Sequence, residues 1–209
     1  GGAAITLGNA GNEFATVDLR ARNTADTANA AGTIDYRDTD GFDVAAANTT
    51  GTVTLTGGGA ITQSGAATGT TLTAKTLLNG GAAITLNNAA NEFTTVDLRA
   101  RNTADAANDA GALAYRDATG FDVAAANTTG NVTLTGGGAI TQSGAMTGTT
   151  LTGKTLLNGG AAITLNNAGN DFTTVDLRAR NGADSANTAG ALNYRDATGF
   201  DVAAANSTG

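Results

Sequence analysis

The chain has 209 residues, 41% of them hydrophobic and only 4% aromatic, with 30 glycines, no proline and a formal net charge of −7. Without cysteine it can form no disulfide or thiolate site, and without histidine it lacks the usual neutral-pH acid–base group and the commonest metal ligand. The acidic balance argues against nucleic acid and anionic membranes as partners, and no run approaches the roughly 18 apolar residues that membrane insertion needs.

Gly1-Gly2-Ala3-Ala4-Ile5-Thr6-Leu7 returns at Gly80 to Leu86 and again at Gly159 to Leu165, the same interval at both steps. Copy one therefore spans 1–79, copy two 80–158 and a partial copy three 159–209, read together as a single array over 1–209. Fixed-period self-similarity marks a stacked, quasi-one-dimensional architecture. The chain opens on a repeat phrase without an initiator Met and stops inside another copy, so it reads as an excerpt of a longer protein.

In the second copy the β-type runs follow one another at short intervals. Ala83 to Leu86 comes first, then Phe93 to Arg101, in which Val96, Leu98 and Ala100 alternate with Asp97, Arg99 and Arg101. That two-residue period is the mark of a half-buried strand. Thr103 to Ala112, Ala-rich and polar, reads as a loop protruding from the stack with room for one helical turn. Ala112 to Tyr115, Phe121 to Ala125, Val132 to Thr135, Ala139 to Gln142, and Leu151-Thr152 running into Thr155-Leu156-Leu157 complete the set. Asn87-Asn88, Asn102, Asn127, Gly136-Gly137-Gly138 and Asn158-Gly159 separate the runs and suit tight turns. No window carries a helical apolar stripe.

These runs predict an all-β fold, a right-handed parallel β-helix (β-solenoid). A propeller blade takes about 40–50 residues and tends to carry a Trp-Asp signature, whereas this chain has no Trp. A β-solenoid coil takes roughly 18–27 residues. The intervals Ile84 to Leu113, Leu113 to Ile140 and Ile140 to Ile163 are each close to one large coil in length. That fits three large coils per copy, with four smaller ones as the alternative. The whole chain should then stack about 9–12 coils into a rod of roughly 45–55 Å. Ile5, Leu7, Val17, Leu19, Phe42, Val44, Val53, Leu55, Ile61 and their counterparts should face inward. Both ends are expected to be uncapped, leaving the chain prone to end-to-end association.

Most reactive side chains recur from copy to copy, whereas a catalytic site normally occurs once. The candidate surface ladder is the Asp-Leu-Arg-Ala-Arg strand: Asp18, Arg20 and Arg22; Asp97, Arg99 and Arg101; Asp176, Arg178 and Arg180. Arg forks match carboxylates, so an acidic glycan is one reading. The other is a solvated face whose charges pair with the Tyr-Arg-Asp strands at Tyr36, Tyr115 and Tyr194. Asp38-Thr39-Asp40-Gly41-Phe42-Asp43 has the look of a calcium loop, but copies two and three lack the middle carboxylate, so no metal is expected. Asn48-Thr49-Thr50, Asn127-Thr128-Thr129 and Asn206-Ser207-Thr208 fit a glycosylation pattern and are read as turns. Thr-x-Thr pairs such as Thr54/Thr56 and Thr133/Thr135 would suit an ice-binding plane, but Arg99, Gln142 and Lys154 interrupt them. Glu13 and Glu92 do not mark one copy as catalytic, since the third copy has Asp171 there.

As a set, Gly58 to Gly65, Gly137 to Gly144 and Ala162 to Phe172 resemble the repeats of filamentous-haemagglutinin-like exoproteins of the two-partner-secretion and autotransporter type. The resemblance covers essentially the whole chain. It implies a right-handed parallel β-helix in the shaft or filament body of a secreted adhesin on the surface of a Gram-negative bacterium. It also implies a non-catalytic role without cofactors. Neighbouring repeats would then be the main partners, and host or environmental glycans or proteins would be met through regions outside this chain. Ice binding or glycan binding through the Thr-x-Thr or Asp/Arg ladders is the alternative.

Overall fold

The computed structural model describes residues 2–209. Among the described residues there are eighteen strands and no helix, and every pairing between named strands is parallel. A parallel strand cannot return by a hairpin, so each pairing requires the chain to travel once around before it stacks on itself. The result is a parallel β-helix.

The register resolves the stack into two columns. On one face Ile5 lies beside Ile34, Ile34 beside Val53, Val53 beside Leu72 and Leu72 beside Val96. On the other face Phe42, Ile61, Ile84, Leu113, Val132, Leu151, Val175 and Val202 form a continuous series. Consecutive strands alternate between the columns, so eighteen strands make nine coils. At about 4.8 Å per coil the rod is about 40 Å long, just short of the expected range.

The coils are unequal. Those from Ile34 to Val53 and from Val53 to Leu72 are the shortest, Leu72 to Val96 is longer, and Ile5 to Ile34 is the longest. The longest one carries the loop closed by Arg22 and Asn29. Ile84, the counterpart of Ile5, falls in the opposite column, between Ile61 and Leu113. One copy is therefore three and a half coils, neither the three nor the four that spacing suggests. The error has a physical origin. Ile140 stacks on Phe121, not on Leu113, because Leu113 belongs to the other face. Alternation says that a strand has an inner side but not which wall of the helix it lines.

One apolar core runs the length of the rod. The expected inward residues are buried in the interior coils, and the exceptions sit in the end coils. Leu7 is 44% exposed while Leu86 and Leu165 are buried, and Val202 is 60% exposed while Val44 and Val123 are buried. Burial here comes from the coil above and below, as the one-dimensional architecture demands. Within the core Tyr36 meets Phe42 and Tyr115 meets Phe121 edge-to-face, and Tyr194 meets the more exposed Phe200 in the same way, with ring centroids 4.8–5.0 Å apart. The chain enters each new copy through a left-handed glycine pair, φ 87° at Gly80 and 84° at Gly81. A Cβ on Gly81 would lie 2.4 Å from the Gly111 nitrogen, so backbone crowds that turn as well.

Candidate functional site

The nine ladder residues do project outward, but they are engaged locally. Arg99 forks onto Asp97 two residues earlier on the same strand, at 2.6 and 2.8 Å, and Arg20–Asp18 and Arg178–Asp176 repeat the pair. The register supplies the reason. Lys75 lies directly beside Arg99, and Lys154 beside Arg178. Like charges on adjacent rungs repel, and the neighbouring aspartates offset that repulsion.

The second arginine of each strand clamps the following loop. Arg101 donates from Nε to Asp105 Oδ1 at 3.0 Å, from Nη2 to the Asp105 carbonyl at 2.8 Å and from Nη1 to Asn108 Oδ1 at 2.7 Å. Lys75, on the strand stacked directly below, reaches Asp105 Oδ2, and Lys154 reaches Asp184 in the same way at 2.6 Å. Asp105 sits in the left-handed region, φ 55°, as do Asp26 and Asp184. The Asn102 carboxamide oxygen accepts the Ala106 and Ala107 amides and closes the turn. Thr103 exchanges hydrogen bonds with Asn79 below, and Asn108 Nδ2 donates to Thr147 Oγ1 above at 3.0 Å. The segment expected to hold a helical turn is instead this strap, stitched across several coils and closed by an antiparallel bridge between Arg101 and Asn108.

The Asp105 carboxyl is held below its ordinary range, first by the Lys75 hydrogen bond and then by Arg101, against the effect of burial. Asp184 is lowered in the same way by Lys154 and Arg180. A depressed carboxyl contributes stability that is present above its unfolded pKa, about 3.9, and lost as pH falls through the folded value. Acidification below about pH 4 should therefore release the straps and unshield the stacked cations, lowering the melting temperature. In Asp105→Asn/Asp184→Asn that acid-side slope should flatten. A slope equal to wild type would show that the straps contribute nothing to acid sensitivity.

Pairing with the Tyr-Arg-Asp strands, the bland alternative for the ladder, does not occur. Those strands turn their Tyr and Asp inward instead. Asp117 accepts Tyr115 Oη at 2.5 Å, the Phe93 amide at 2.9 Å, and the Thr119 amide and hydroxyl at 2.9 and 3.0 Å. Asp38 and Asp196 hold the same place in the other copies. Burial alone would raise the Asp38 carboxyl, but the Tyr36 hydroxyl and the Phe14 and Asp40 amides outweigh it and leave it lowered. Burial and the adjacent carboxylate push the Tyr36 hydroxyl well up. Asp38, Asp40 and Asp43 consequently do not converge on a cation: Asp38 points into the core, while Asp43 accepts the Thr62 and Ser64 hydroxyls. No cluster of three metal-ligating side chains exists among the described residues.

A second buried polar device was missed by sequence reasoning. Asn91 is fully buried, accepts the Ala67 amide and the Gln63 side chain, and donates to Gln63 Oε1, the Leu86 carbonyl and the Arg116 carbonyl. Asn170 and Gln142 repeat it. A signal was available: Asn12, Asn91 and Asn170 are identical in three copies while their neighbours Gly11, Ala90 and Gly169 vary.

The glycosylation-like triplets form corners. Thr49 is buried, donates to the Ala30 and Gly32 carbonyls and accepts the Gly51 amide at 2.8 Å. The Thr-x-Thr grid is short: Thr54 stacks on Thr73, which meets Asp97, the column of Thr56 runs on to Lys75 and Arg99, and only the Thr52, Thr71 and Thr95 column reaches three rungs before it meets Asp122. A surface groove lined by Thr49, Thr50, Thr68, Thr70, Thr94 and Thr119 has Glu92 as its one titratable side chain.

No curated protein and no solved structure matches this chain. Residues 28–98 and 110–179, more than half of its length, match a family described as repeats of unknown function (DUF5649). The matched segments cover two successive turns of the sequence period, and the chain belongs to that repeat family.

Proposed function

We propose that the chain is a non-catalytic spacer: a segment of the shaft of a large secreted adhesin or filament displayed on the surface of a Gram-negative bacterium. The single observation that carries this reading is the unbroken apolar core threaded through nine stacked coils, with copies joined by the same ladder that operates within each copy. Such a unit adds length without adding a new kind of surface. Three and a half coils per copy amount to about 17 Å of axial rise. The resemblance to filamentous-haemagglutinin-like repeats, carried by Gly58 to Gly65 and Ala162 to Phe172, supports the extracellular setting. Ice binding is disfavoured by the charged residues Lys75, Asp97 and Asp122, which end the Thr columns within three rungs.

Chains carrying two, four and six copies should lengthen by about 17 Å per copy in small-angle scattering or electron microscopy, at constant cross-section. Immunolabelling of intact cells should find the repeat outside the envelope. Growth in cross-section rather than length, or an epitope reached only after lysis, would refute the proposal. So would a positive ice-recrystallisation or glycan-cleavage assay on the purified chain.

A further inference from the structure

Three cations of the second and third copies stand in line on one face. Arg116 is in register with Thr135, Thr135 with Lys154 and Lys154 with Arg178. Lys154 is answered by Asp184 and Arg178 by Asp176. Arg116 is different, because its guanidinium makes no ion pair or hydrogen bond among the described residues. Its counterparts Arg37 and Arg195 are also without an ion pair among the described residues, Arg37 despite Asp35 two residues before it. Before Arg116 the corresponding residue is Ala114, so no carboxylate precedes it on its strand as Asp97 precedes Arg99 and Asp176 precedes Arg178.

Arg116 also lies in a concavity. A groove of about 380 Å³ runs along this face, with Arg116, Thr133, Thr135 and Lys154 on its floor, Asn87 at one side and the strap residues Gly182 to Asp184 as its wall. In a chain of net charge −7, this places an unanswered guanidinium among hydroxyls and an amide. The ladder itself displays what such an outward guanidinium binds, since Arg99 takes a carboxylate with both arms of its fork. The hydroxyl and amide neighbours suit a carrier that is itself rich in hydroxyls.

We propose that the Arg116 groove binds a uronate, the carboxylate of an acidic saccharide, with Thr133, Thr135 and Asn87 meeting the sugar hydroxyls. The site goes beyond the spacer reading and does not depend on it. Loss of uronate binding would leave the per-copy lengthening untouched, and failure of the lengthening would leave this binding to be measured.

The test titrates the full chain with an oligogalacturonate, following the Arg116 side-chain Nε–Hε resonance and the dissociation constant. Methyl-esterified oligomer, a sulfated oligosaccharide and oligoglutamate serve as comparison probes. The oligogalacturonate should shift the Arg116 signal, and esterification should abolish the shift. Arg116→Gln should weaken binding by about tenfold or more, because a charge-assisted fork is replaced by a neutral amide. Ala114→Asp should also weaken it, by setting a like charge beside the bound carboxylate, and copy one already carries Asp35 there, so the fold accepts it. Unchanged thermal unfolding of both variants separates lost binding from lost structure. Equal binding of the methyl ester, oligoglutamate or sulfated probe, or wild-type affinity in either variant, would overturn the proposal.

Discussion

Asp117→Ala should destabilise the chain by about 3–4 kcal/mol, the largest loss expected from any single polar substitution here. The side chain is 1% exposed and answers four donors at once, from Tyr115, Phe93 and Thr119. Removing it strands the buried Tyr115 hydroxyl and the Phe93 amide without water to replace the carboxylate. Tyr115→Phe removes one donor and keeps the ring against Phe121, so about 1–2 kcal/mol is expected. The double substitution should cost less than the sum, because the hydroxyl left unpaired in Asp117→Ala is then absent. Urea unfolding followed by circular dichroism measures the totals. Hydrogen exchange should place the weakening in the coils around Glu92–Arg101 and Leu113–Asp117, since a stacked array fails locally. Strict additivity, or weakening spread evenly along the rod, would refute this account.

Asn91→Leu should rank next, at about 2–4 kcal/mol. The carboxamide ties Gln63, Ala67, Leu86 and Arg116 together, so leucine leaves an amide, two carbonyls and the glutamine short of partners in a dry interior. The first copy supplies an internal control. Asn12 is only half-buried and its amide nitrogen donates to the Leu7 and Arg37 carbonyls alone, both at 2.9 Å. Asn12→Leu should therefore cost clearly less, and equal losses at the two positions would remove the network as the explanation.

Much of the architecture was legible in the residues. Alternation marked the strand faces, the recurrence of Gly1 to Leu7 at Gly80 and Gly159 marked the stack, and the inward set held wherever a coil lay on both sides. The coil count was not legible, because Leu113 and Phe121 give the same period-two signal from opposite walls. The strap over Asn102 to Asn108 was visible as a break in the strands, but its shape depends on Lys75 and Thr147, which only the stacking brings near. The partners of the ladder arginines lie two residues away on the same strand or in the following loop, which alternation alone does not single out. Asp38, Asp117 and Asp196 lie on the inner side of their strands, where the tyrosine two residues earlier answers each of them. A charged residue at an inward position reads as surface until its tyrosine partner is seen.

The half coil left over in each copy has an evolutionary consequence. Duplicating one repeat unit turns everything downstream through half a revolution, so that a groove which faced one side afterwards faces the other. Duplicating units in pairs adds seven whole coils and restores the original facing. Parity of copy number thus becomes a heritable property of the rod, independent of its length. Unequal crossing-over between near-identical copies would switch it in a single event, and selection could keep or discard a lineage by which way its surface points.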